Sequence, residues 1–303
     1  MKLVSYNIQY GFGGDGRYDL SRCAKIVAGA DIIALQEVER HWLRSNEDDQ
    51  PELLSRLLPE HYWVYGPAFD MDASERRDGR IVNRRRQFGT MLLSRLPIVW
   101  SRLHTLPLRR TVRPLNTRNA ALECMIHTPA GPVRVLSLHL AHIAAEERLE
   151  QIDYLLAEHR RAPSDGGPWS GADDEPVRNW SNGEPEPENP LAAIWTGDFN
   201  MEPGSAEYRR IVGSTPYHRG AAYLNGFVDA AVASEPPTDF HTHVKTIDGS
   251  PAKRRLDHCF VGGMFADRVR SVSVDIGEIA SDHFPLRVDI DLETPFATGV
   301  EGG

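Results

Sequence analysis

Nine short segments of the chain have the apolar or alternating pattern of β-strands, and this feature limits the fold more than any other. The pattern predicts strands at residues 2–9, 31–38, 88–95, 118–127, 133–141, 191–199, 256–262, 269–277 and 284–292. The spacing of apolar residues predicts helices at residues 19–29, 50–58, 145–161 and 204–212. A chain with many strands and few long helices packs sheet against sheet and places its helices outside.

One irregular segment, residues 162–190, separates the longest predicted helix from the strand that follows it. The segment holds seven acids, one Arg and many Pro and Gly residues, so it cannot readily form a packed element. We expect a flexible acidic insertion at the surface, which acts either as a lid over a site or as a tolerated loop. Because the next strand belongs to the same core, we predict a single domain over residues 1–293 and a short tail at 294–303.

Charge is distributed unevenly along the chain. The net charge of −9 argues against non-specific binding to long nucleic acids. Between Arg76 and Arg118, however, the chain has twelve Arg, no Lys and one acid, which gives a local charge of +11 and leaves −20 elsewhere. Arginine without lysine suits planar contacts to phosphate or carboxylate. The same run also suits a solvated loop that balances nearby acids, and the sequence is compatible with both.

Three observations predict a cytoplasmic protein without a membrane span. No run reaches the ~18 consecutive apolar residues of a membrane helix. The first residues, "MKLVSYNIQYG", enter a strand pattern directly and lack the order of a secretory signal. The three cysteines, Cys23, Cys124 and Cys259, are scattered and odd in number, so they do not make a disulfide framework. Nothing in the sequence implies a protein partner.

Six predicted strands, or the turns beside them, carry polar side chains capable of chemistry. These are Asn7, Gln36–Glu37, His139, Asp198 with Asn200, Asp257–His258 and Asp282–His283. Taken singly, such residues are usually solvated acids, satisfied core histidines or caps. Together they indicate a common site, because buried ionisable groups are costly unless they are paired or bind a metal. Carboxylates and carboxamides without cysteine suit a hard cation, namely Mg²⁺, Mn²⁺ or Ca²⁺.

Seven motifs resemble those of the endonuclease/exonuclease/phosphatase superfamily, which includes pancreatic deoxyribonuclease, bacterial sphingomyelinase and the inositol polyphosphate 5-phosphatases. They occur in family order from residue 5 to 286, as "SYNIQYG", "DIIALQEVE", "GTMLLSRLPI", "LSLHLAH", "WTGDFN", "RLDHCF" and "SDHFPL". The resemblance implies an α/β fold, a four-layer sandwich of two mainly antiparallel β-sheets flanked by helices. It also implies a site at one edge and hydrolysis of phosphate esters, with Mg²⁺ as cofactor or Mn²⁺ or Ca²⁺ in its place.

The resemblance also implies roles for residues around the metal and the attacking water. Glu37 would be the principal metal ligand, with Asn7 beside it. Asp282 would help to position the metal or the charge. Asp198 would orient or deprotonate the attacking water, and Asn200 would donate a hydrogen bond to the phosphate or to that water.

Four further residues would act on the phosphate itself. His283 would contact the scissile phosphate and act as acid or base, and Asp257 would orient it through its other ring nitrogen. His139 would hold a phosphate oxygen or protonate the leaving oxygen. Arg118, in "NTRNAAL", falls near the phosphate-binding Arg of some relatives.

The sequence limits the choice of substrate less than it limits the fold and the type of reaction. Relatives that act on abasic sites in DNA have Tyr in a "Y-x-P-N" context where this chain has His139, so that activity is disfavoured. No interleaved aromatic and basic surface for stacking bases is evident. Several aromatic residues could nevertheless line a pocket, namely His41, Trp42, Tyr62, Trp63 and Tyr65.

We therefore expect a phosphodiesterase or phosphatase that acts on a small-molecule or lipid-headgroup phosphate. The alternative is an endonuclease or exonuclease acting on DNA or RNA, because the local charge of +11 suits an anionic polymer. A non-catalytic binding module is disfavoured, because Glu37, Asp198 and His283 are all present.

Overall fold

Two six-stranded sheets form the centre of the protein in a computed structural model, which describes residues 1–172, 174–175, 177–214, 222–234, 236, 238–247 and 250–296. The first sheet contains, in spatial order, β15 (Val269–Val274), β16 (Leu286–Ile290), β1 (Lys2–Asn7), β2 (Ile32–Arg40), β6 (Arg85–Ser94) and β3 (Tyr62–Asp72). The second contains β11 (Phe227–Asp229), β14 (Asp257–Gly262), β10 (Ala193–Asp198), β9 (Gly131–His139), β8 (Ala120–Thr128) and β7 (Ile98–Thr105).

Each sheet has one parallel pair of strands among antiparallel neighbours. The parallel pairs are β1 with β2 in the first sheet and β10 with β9 in the second. Two small antiparallel hairpins lie outside the sheets, β4 (Glu75–Arg77) with β5 (Arg80–Val82), and β12 (His243–Ile247) with β13 (Ser250–Arg254). The predicted arrangement of two mainly antiparallel sheets is therefore confirmed.

Helices cover the outer face of each sheet and complete the four layers. They are α1 (Leu20–Val27), α2 (Gln50–Leu57), α3 (Ala145–Asp165) and α4 (Ala206–Val212). The short helix α5 (Ala230–Ala233) packs instead in the apolar cluster between the sheets, and 3₁₀ turns lie at Gln9–Gly11, Leu43–Ser45 and Gly263–Arg268. Helices α1 and α2 pack on the first sheet in one apolar cluster, and α3 and α4 pack on the second sheet in another. Within the described residues, no helix is both long and apolar enough to cross a membrane.

The two sheets meet face to face across a third apolar cluster. Its members come from inward-facing positions of both sheets and include Leu3, Ile32, Leu92, Leu122, Val135 and Ile194, each at most 1% exposed. Burial of such a side chain contributes about 1.5–3 kcal/mol, so apolar contact is the main interaction that holds the layers together.

All nine predicted strands and all four predicted helices are present, with ends shifted by a few residues. Strand β3 was not predicted, because Gly66 and Pro67 interrupt its pattern. Strand β7 was also missed, because it lies at the edge of its sheet and buries only Trp100 and His104. Tertiary pairing, rather than local pattern, defines both strands.

The acidic insertion begins later than predicted. Helix α3 continues through Pro163 to Asp165, with Ala162 buried, so the first four residues of the predicted segment 162–190 are helical. Ala162 is 2% exposed, so the helix still buries a side chain in this turn, although Pro163 removes one backbone donor. Residues 173 and 176 of the segment, and 297–303 of the predicted tail, lie outside the described residues.

The far end of the insertion is bonded to the core. Asn189 donates from Nδ2 to the Gly166 carbonyl (2.8 Å), and the indole of Trp100 donates to the carbonyl of Glu188 (3.0 Å). These bonds join the two ends of the segment to each other and to the second sheet.

A buried polar cluster lies between the second sheet and α3. Arg134 donates to Glu123 (2.6 Å) and to Nδ1 of His159 (2.8 Å), and His104 bonds the other Glu123 oxygen (2.8 Å). Burial, together with the positive charge of Arg134, lowers the pKa of His159 to about 3. His159 is therefore neutral in the folded protein and acts there as an acceptor.

This lowered pKa makes folding stability dependent on pH. Between about pH 6.5 and pH 3 the unfolded chain binds a proton at residue 159 that the folded chain does not, so stability falls as the pH falls. Because the unfolded chain is protonated at residue 159, we expect the free energy of unfolding to fall by about 2 kcal/mol between pH 7 and pH 5. In His159→Gln, which keeps an acceptor for Arg134 but cannot titrate, this part of the loss should disappear.

Urea denaturation at pH 7 and pH 5 measures the effect as a difference between wild type and variant. His127→Gln, at an exposed position of β8, is the matched control and should keep the pH dependence of the wild type. Equal pH dependence in wild type and His159→Gln would show that His159 is not held neutral.

Candidate active site

The predicted site residues converge on one edge of the sandwich because of the two parallel strand pairs. Asn7 ends β1 beside Gln36 of β2. In the second sheet Asp198, the last residue of β10, lies between His139 of β9 and Asp257 of β14 in adjacent register positions. The carboxyl ends of parallel strands share an edge, so these side chains lie at the same end of both sheets.

A β-bulge turns Glu37 towards this edge. The register of β2 against β6 shifts between Gln36 and Val38, and Glu37 adopts a left-handed φ of 59°. Gln36 stays in the core, where its Nε2 donates to the Ser137 hydroxyl of the second sheet (3.2 Å). Because of the bulge, the side chains of Gln36 and Glu37 serve different purposes: Gln36 contacts the second sheet, and Glu37 faces the site. Bulges are common beside active sites for this reason.

One carboxamide joins the acids of the two sheets. Nδ2 of Asn7 donates to Glu37 Oε1 and to Asp198 Oδ2, each at 3.1 Å. The remaining atom, Oδ1, accepts from the backbone N–H of Gln9 (3.0 Å), and the hydroxyl of Ser281 donates to the Asn7 carbonyl (2.7 Å). Asn7 is 1% exposed, so its orientation is fixed by these bonds.

The turn after β10 depends on a glycine. Gly197 has a φ of 150°, and a Cβ there would lie 1.9 Å from the carbonyl oxygen of Leu138 on β9. Only glycine permits this close approach, which brings Asp198 level with His139. Asp198 Oδ1 then accepts from the backbone N–H of Asn200 (2.9 Å). Asn200 donates one Nδ2 hydrogen to the Leu140 carbonyl (3.0 Å), which leaves its second N–H for a ligand.

Two histidines flank the Asp198 carboxylate. Nε2 of His139 lies 3.6 Å and Nε2 of His283 lies 3.7 Å from Asp198 Oδ2. The other ring nitrogen of His283, Nδ1, bonds Asp257 Oδ2 at 2.8 Å, which fixes the orientation of the ring. The predicted Asp257–His283 pair is thus formed, and both side chains are buried.

The charges at this edge shift the pKa values of its groups. Burial lowers the pKa of His283, but the Asp257 and Asp198 carboxylates outweigh burial and raise this pKa to about 10. Burial would raise the pKa of Asp198, but His283 and His139 outweigh it, so the pKa lies below its usual range. Burial raises the pKa of Glu37, and nearby His139 and Asn7 only partly offset it.

Two groups of ligand atoms at this edge could hold a cation. The first is the predicted set Asn7, Glu37 and Asp282. The second consists of His243, Asp282 and His283, whose ligand atoms lie within 4.8 Å of one another. His243 was not predicted; the β-bridge between His243 and His283 places it here, with ring centroids 4.7 Å apart.

A cavity of about 490 Å³ opens beside these groups. Five predicted site residues line it: Glu37, His139, Asn200, Asp198 and Asp282. Of the other four, Asn7, Asp257 and His283 are buried at the same end of the sheets, and Arg118 is exposed. The lining also contains residues that sequence reasoning missed, namely Gln9, Tyr10, Arg44, Phe69, Phe88, Leu115, Asn116, Thr117, Asn119 and His142.

Some of these residues carried a usable sequence signal. Trp42 was predicted to line a pocket and does so, whereas His41, Tyr62, Trp63 and Tyr65 are outside the described lining. His142 follows His139 by three residues in "LSLHLAH", but the spacing alone does not show that both face one cavity. Arg118 is exposed and donates to the Leu106 carbonyl (3.3 Å), while its neighbours Thr117 and Asn119 line the cavity. Its role in phosphate binding stays a prediction.

Acids that lie outside residues 76–118 partly neutralise the arginine-rich run. Ion pairs form at Arg77–Glu75, Arg84–Glu47, Arg85–Asp70, Arg95–Glu60 and Arg109–Glu150. None of the twelve arginines is among the described residues that line the cavity. For the paired arginines, the structure favours a charge-balanced surface over a phosphate-binding cluster.

Three solved structures show the same architecture. An endonuclease/exonuclease/phosphatase family protein from Leptotrichia buccalis has 19% identity and a TM-score of 0.62, over 96% of this chain and 99% of that one. The mannosyl-6-phosphatase of Bacteroides thetaiotaomicron has 19% identity and a TM-score of 0.61, with the same coverage. D. rerio TDP2, complexed with single strand DNA product, has 17% identity and a TM-score of 0.58, over 95% and 97%. At these identities the likeness shows the fold.

Sequence comparison identifies the family. No curated protein matches the chain. The sequence profile of the endonuclease/exonuclease/phosphatase family, however, matches residues 4–283, a range that contains every predicted site residue from Asn7 to His283. The chain therefore belongs to the endonuclease/exonuclease/phosphatase family.

Proposed function

We propose that the protein is a metal-dependent phosphodiesterase or phosphatase that acts on a small-molecule or lipid-headgroup phosphate. Members of its family are hydrolases that act on phosphate esters. The observation that carries the proposal is the position of Asp198, which lies between His139 and His283 and shares Asn7 with Glu37. This arrangement brings a carboxylate, two imidazoles and a potential metal ligand to one cavity.

The donor set at this edge fits a divalent cation. Glu37 has a pKa raised by burial, and its bonded partner is the neutral Asn7 amide, so a cation would stabilise its ionised form. Glu37 and Asp282 would hold the metal through their carboxylate oxygens, with the Asn7 side chain beside Glu37, and Mg²⁺ suits such oxygen ligands. When bound, the metal would neutralise charge that develops on the phosphate oxygens.

Asp198 is placed to orient the attacking water. Its lowered pKa keeps the carboxylate ionised at neutral pH, so that Oδ2 can accept a proton from a water molecule in the cavity. The bond from Asn7 to Oδ2 and the bond from the Asn200 N–H to Oδ1 hold both oxygens in place. The carboxylate therefore needs little reorganisation when the substrate arrives.

The two histidines would act on the phosphate and the leaving oxygen. His283 is held by Asp257 with a raised pKa, so it presents positive charge to the anion. His139 lines the cavity and can hold a phosphate oxygen or donate a proton to the leaving oxygen. The second N–H of Asn200 can bond a further oxygen of the phosphate or of the water.

The size of the cavity supports a small substrate. Its volume of about 490 Å³ falls within the range of roughly 300–1,000 Å³ that is usual for small-molecule sites. The second candidate is a nuclease. Exposed arginines on the β4–β5 hairpin, Arg76 and Arg80, favour it because they could contact a nucleic-acid backbone.

Replacement of Asp198 tests the proposed chemistry. Asp198→Ala should lower kcat for bis(4-nitrophenyl) phosphate in Mg²⁺ by about 10²- to 10⁴-fold, because the attacking water loses its acceptor. Release of 4-nitrophenol measures the rate, and circular dichroism checks the fold. Asp153→Ala, at a surface position paired with Arg210, is the control and should keep the wild-type rate. Full activity in Asp198→Ala would contradict the assignment, and strong nicking of plasmid DNA at physiological salt would favour the nuclease.

Metal removal tests the proposed ligand set independently of turnover. At one hundred times its Kd, Mg²⁺ or Mn²⁺ should stabilise the folded protein by about 2.7 kcal/mol and raise the Tm by about 5 °C. Chelation by EDTA should reverse this shift. Glu37→Gln should abolish most of it, whereas Glu60→Gln, at a position 75% exposed, should leave it unchanged. An undiminished shift in Glu37→Gln would place the cation elsewhere.

A further inference from the structure

The cavity has two chemically different halves. One half holds the acids and histidines described above. The other half is lined by aromatic side chains from four separate segments, namely Tyr10, Trp42, Phe69 and Phe88, which we call the ring subsite. A phosphate group alone would leave this half empty, so it should hold the remainder of the substrate.

Hydrogen bonds and strand pairing fix the rings of this subsite. Phe69 of β3 lies opposite Phe88 of β6, next to the bulge that follows Pro67. The indole of Trp42 donates to the Gln87 carbonyl (2.8 Å) and stacks on Phe69 at 29°, with ring centroids 5.7 Å apart. These rings are therefore preorganised, which reduces the entropy lost when a planar group stacks on them.

Arg44 belongs to this half as a flat stacking group rather than as a free cation. Its guanidinium lies 3.8 Å from the ring centre of Tyr10 and 4.9 Å from that of Trp42. The fully buried carboxylate of Glu39 accepts from Arg44 Nη2 (2.7 Å) and Nε (3.1 Å). Because Glu39 balances the charge, this half of the cavity suits a neutral planar group better than a second phosphate.

Two carboxamides in the lining of the cavity have side-chain oxygens that lack a partner. Asn119 is 5% exposed, and its Oδ1 is buried without a hydrogen-bond partner among the described residues. Asn116 donates from Nδ2 to the Glu147 carboxylate (2.9 Å), and its Oδ1 is likewise buried and unpartnered in that part of the chain. A buried acceptor without a donor is costly, so rotation of either side chain towards the cavity, where a ligand N–H or O–H group can reach its oxygen, would be favourable.

We propose that the ring subsite binds the alcohol part of the substrate and that this alcohol is a nucleoside, or a similarly planar ring compound with N–H and O–H donors. This rests on the proposed function, in which the phosphate lies in the acidic half. Stacked aromatic rings accept any base, and loss of one stacking partner typically lowers affinity by about 5- to 150-fold. Esters without a planar ring, such as those of lipid headgroups or sugars, would leave the subsite unfilled.

Selectivity between two esters tests this proposal. The substrates are the 4-nitrophenyl ester of thymidine 5′-phosphate and methyl 4-nitrophenyl phosphate, which share a leaving group and differ only in the nucleoside. The ratio of their kcat/KM values should exceed about 10 in the wild type and fall by about 10-fold or more in Trp42→Ala and in Phe88→Ala. Trp42→Leu is the second variant if Trp42→Ala proves unstable. Tyr62→Ala, at an exposed position of β3 outside the cavity, is the control and should keep both rates.

Binding of AMP and of ribose 5-phosphate separates the subsite from the chemistry. Quenching of tryptophan fluorescence by AMP, which is absent with ribose 5-phosphate and lost in Trp42→Phe, would support the subsite even if no ester were hydrolysed. Hydrolysis that depends on Asp198 but shows an equal ratio in wild type and Trp42→Ala would overturn the subsite and leave the proposed function intact. A preference for inositol or sugar phosphates that is insensitive to Trp42 and Phe88 would also overturn it.

Discussion

The close approach of four carboxylates at one edge of the sandwich is the constraint on which the rest of the site depends. Glu37, Asp198, Asp257 and Asp282 lie at this edge, and the ion-pair partners that the described chain offers them are histidines. Buried charges of one sign are costly unless cations or hydrogen bonds compensate for them. The Asn7 amide, the imidazoles and the proposed divalent cation are the compensating groups, and the same groups supply the chemistry.

The stability of the apolar layers offsets the cost of strained backbone conformations at this edge. The apolar layer between the sheets and the helix layers outside them hold the strands rigidly, so strained positions can persist where the strands end. Glu37, Asn200, Gln9 and Tyr10 all have left-handed backbone conformations, and all line the cavity. Gly197 adds a close backbone contact that other residues would disrupt. The strained residues are thus found where side chains must face the cavity.

Sequence reasoning captured the parts of the molecule that local pattern encodes. The apolar runs before Asn7, Glu37 and Asp198 predicted both the strands and the polar ends that meet at one edge. It could not show which distant residues share the cavity, because Phe69 and Phe88 become neighbours only through the pairing of β3 with β6. For the same reason, the acids that balance the arginine-rich run could not be identified, since they lie in other segments. His243 likewise joins the site only through its bridge to His283.

A crystal structure with Mn²⁺ and inorganic phosphate would test the central claim most directly, because Mn²⁺ is located by its anomalous scattering. We predict a Mn²⁺ peak at about 2.0–2.6 Å from a carboxylate oxygen of Glu37, with phosphate in the cavity beside His139 and Asp198. Mn²⁺ bound only by His243 and Asp282, with no ion near Glu37 and no phosphate in the cavity, would contradict the account.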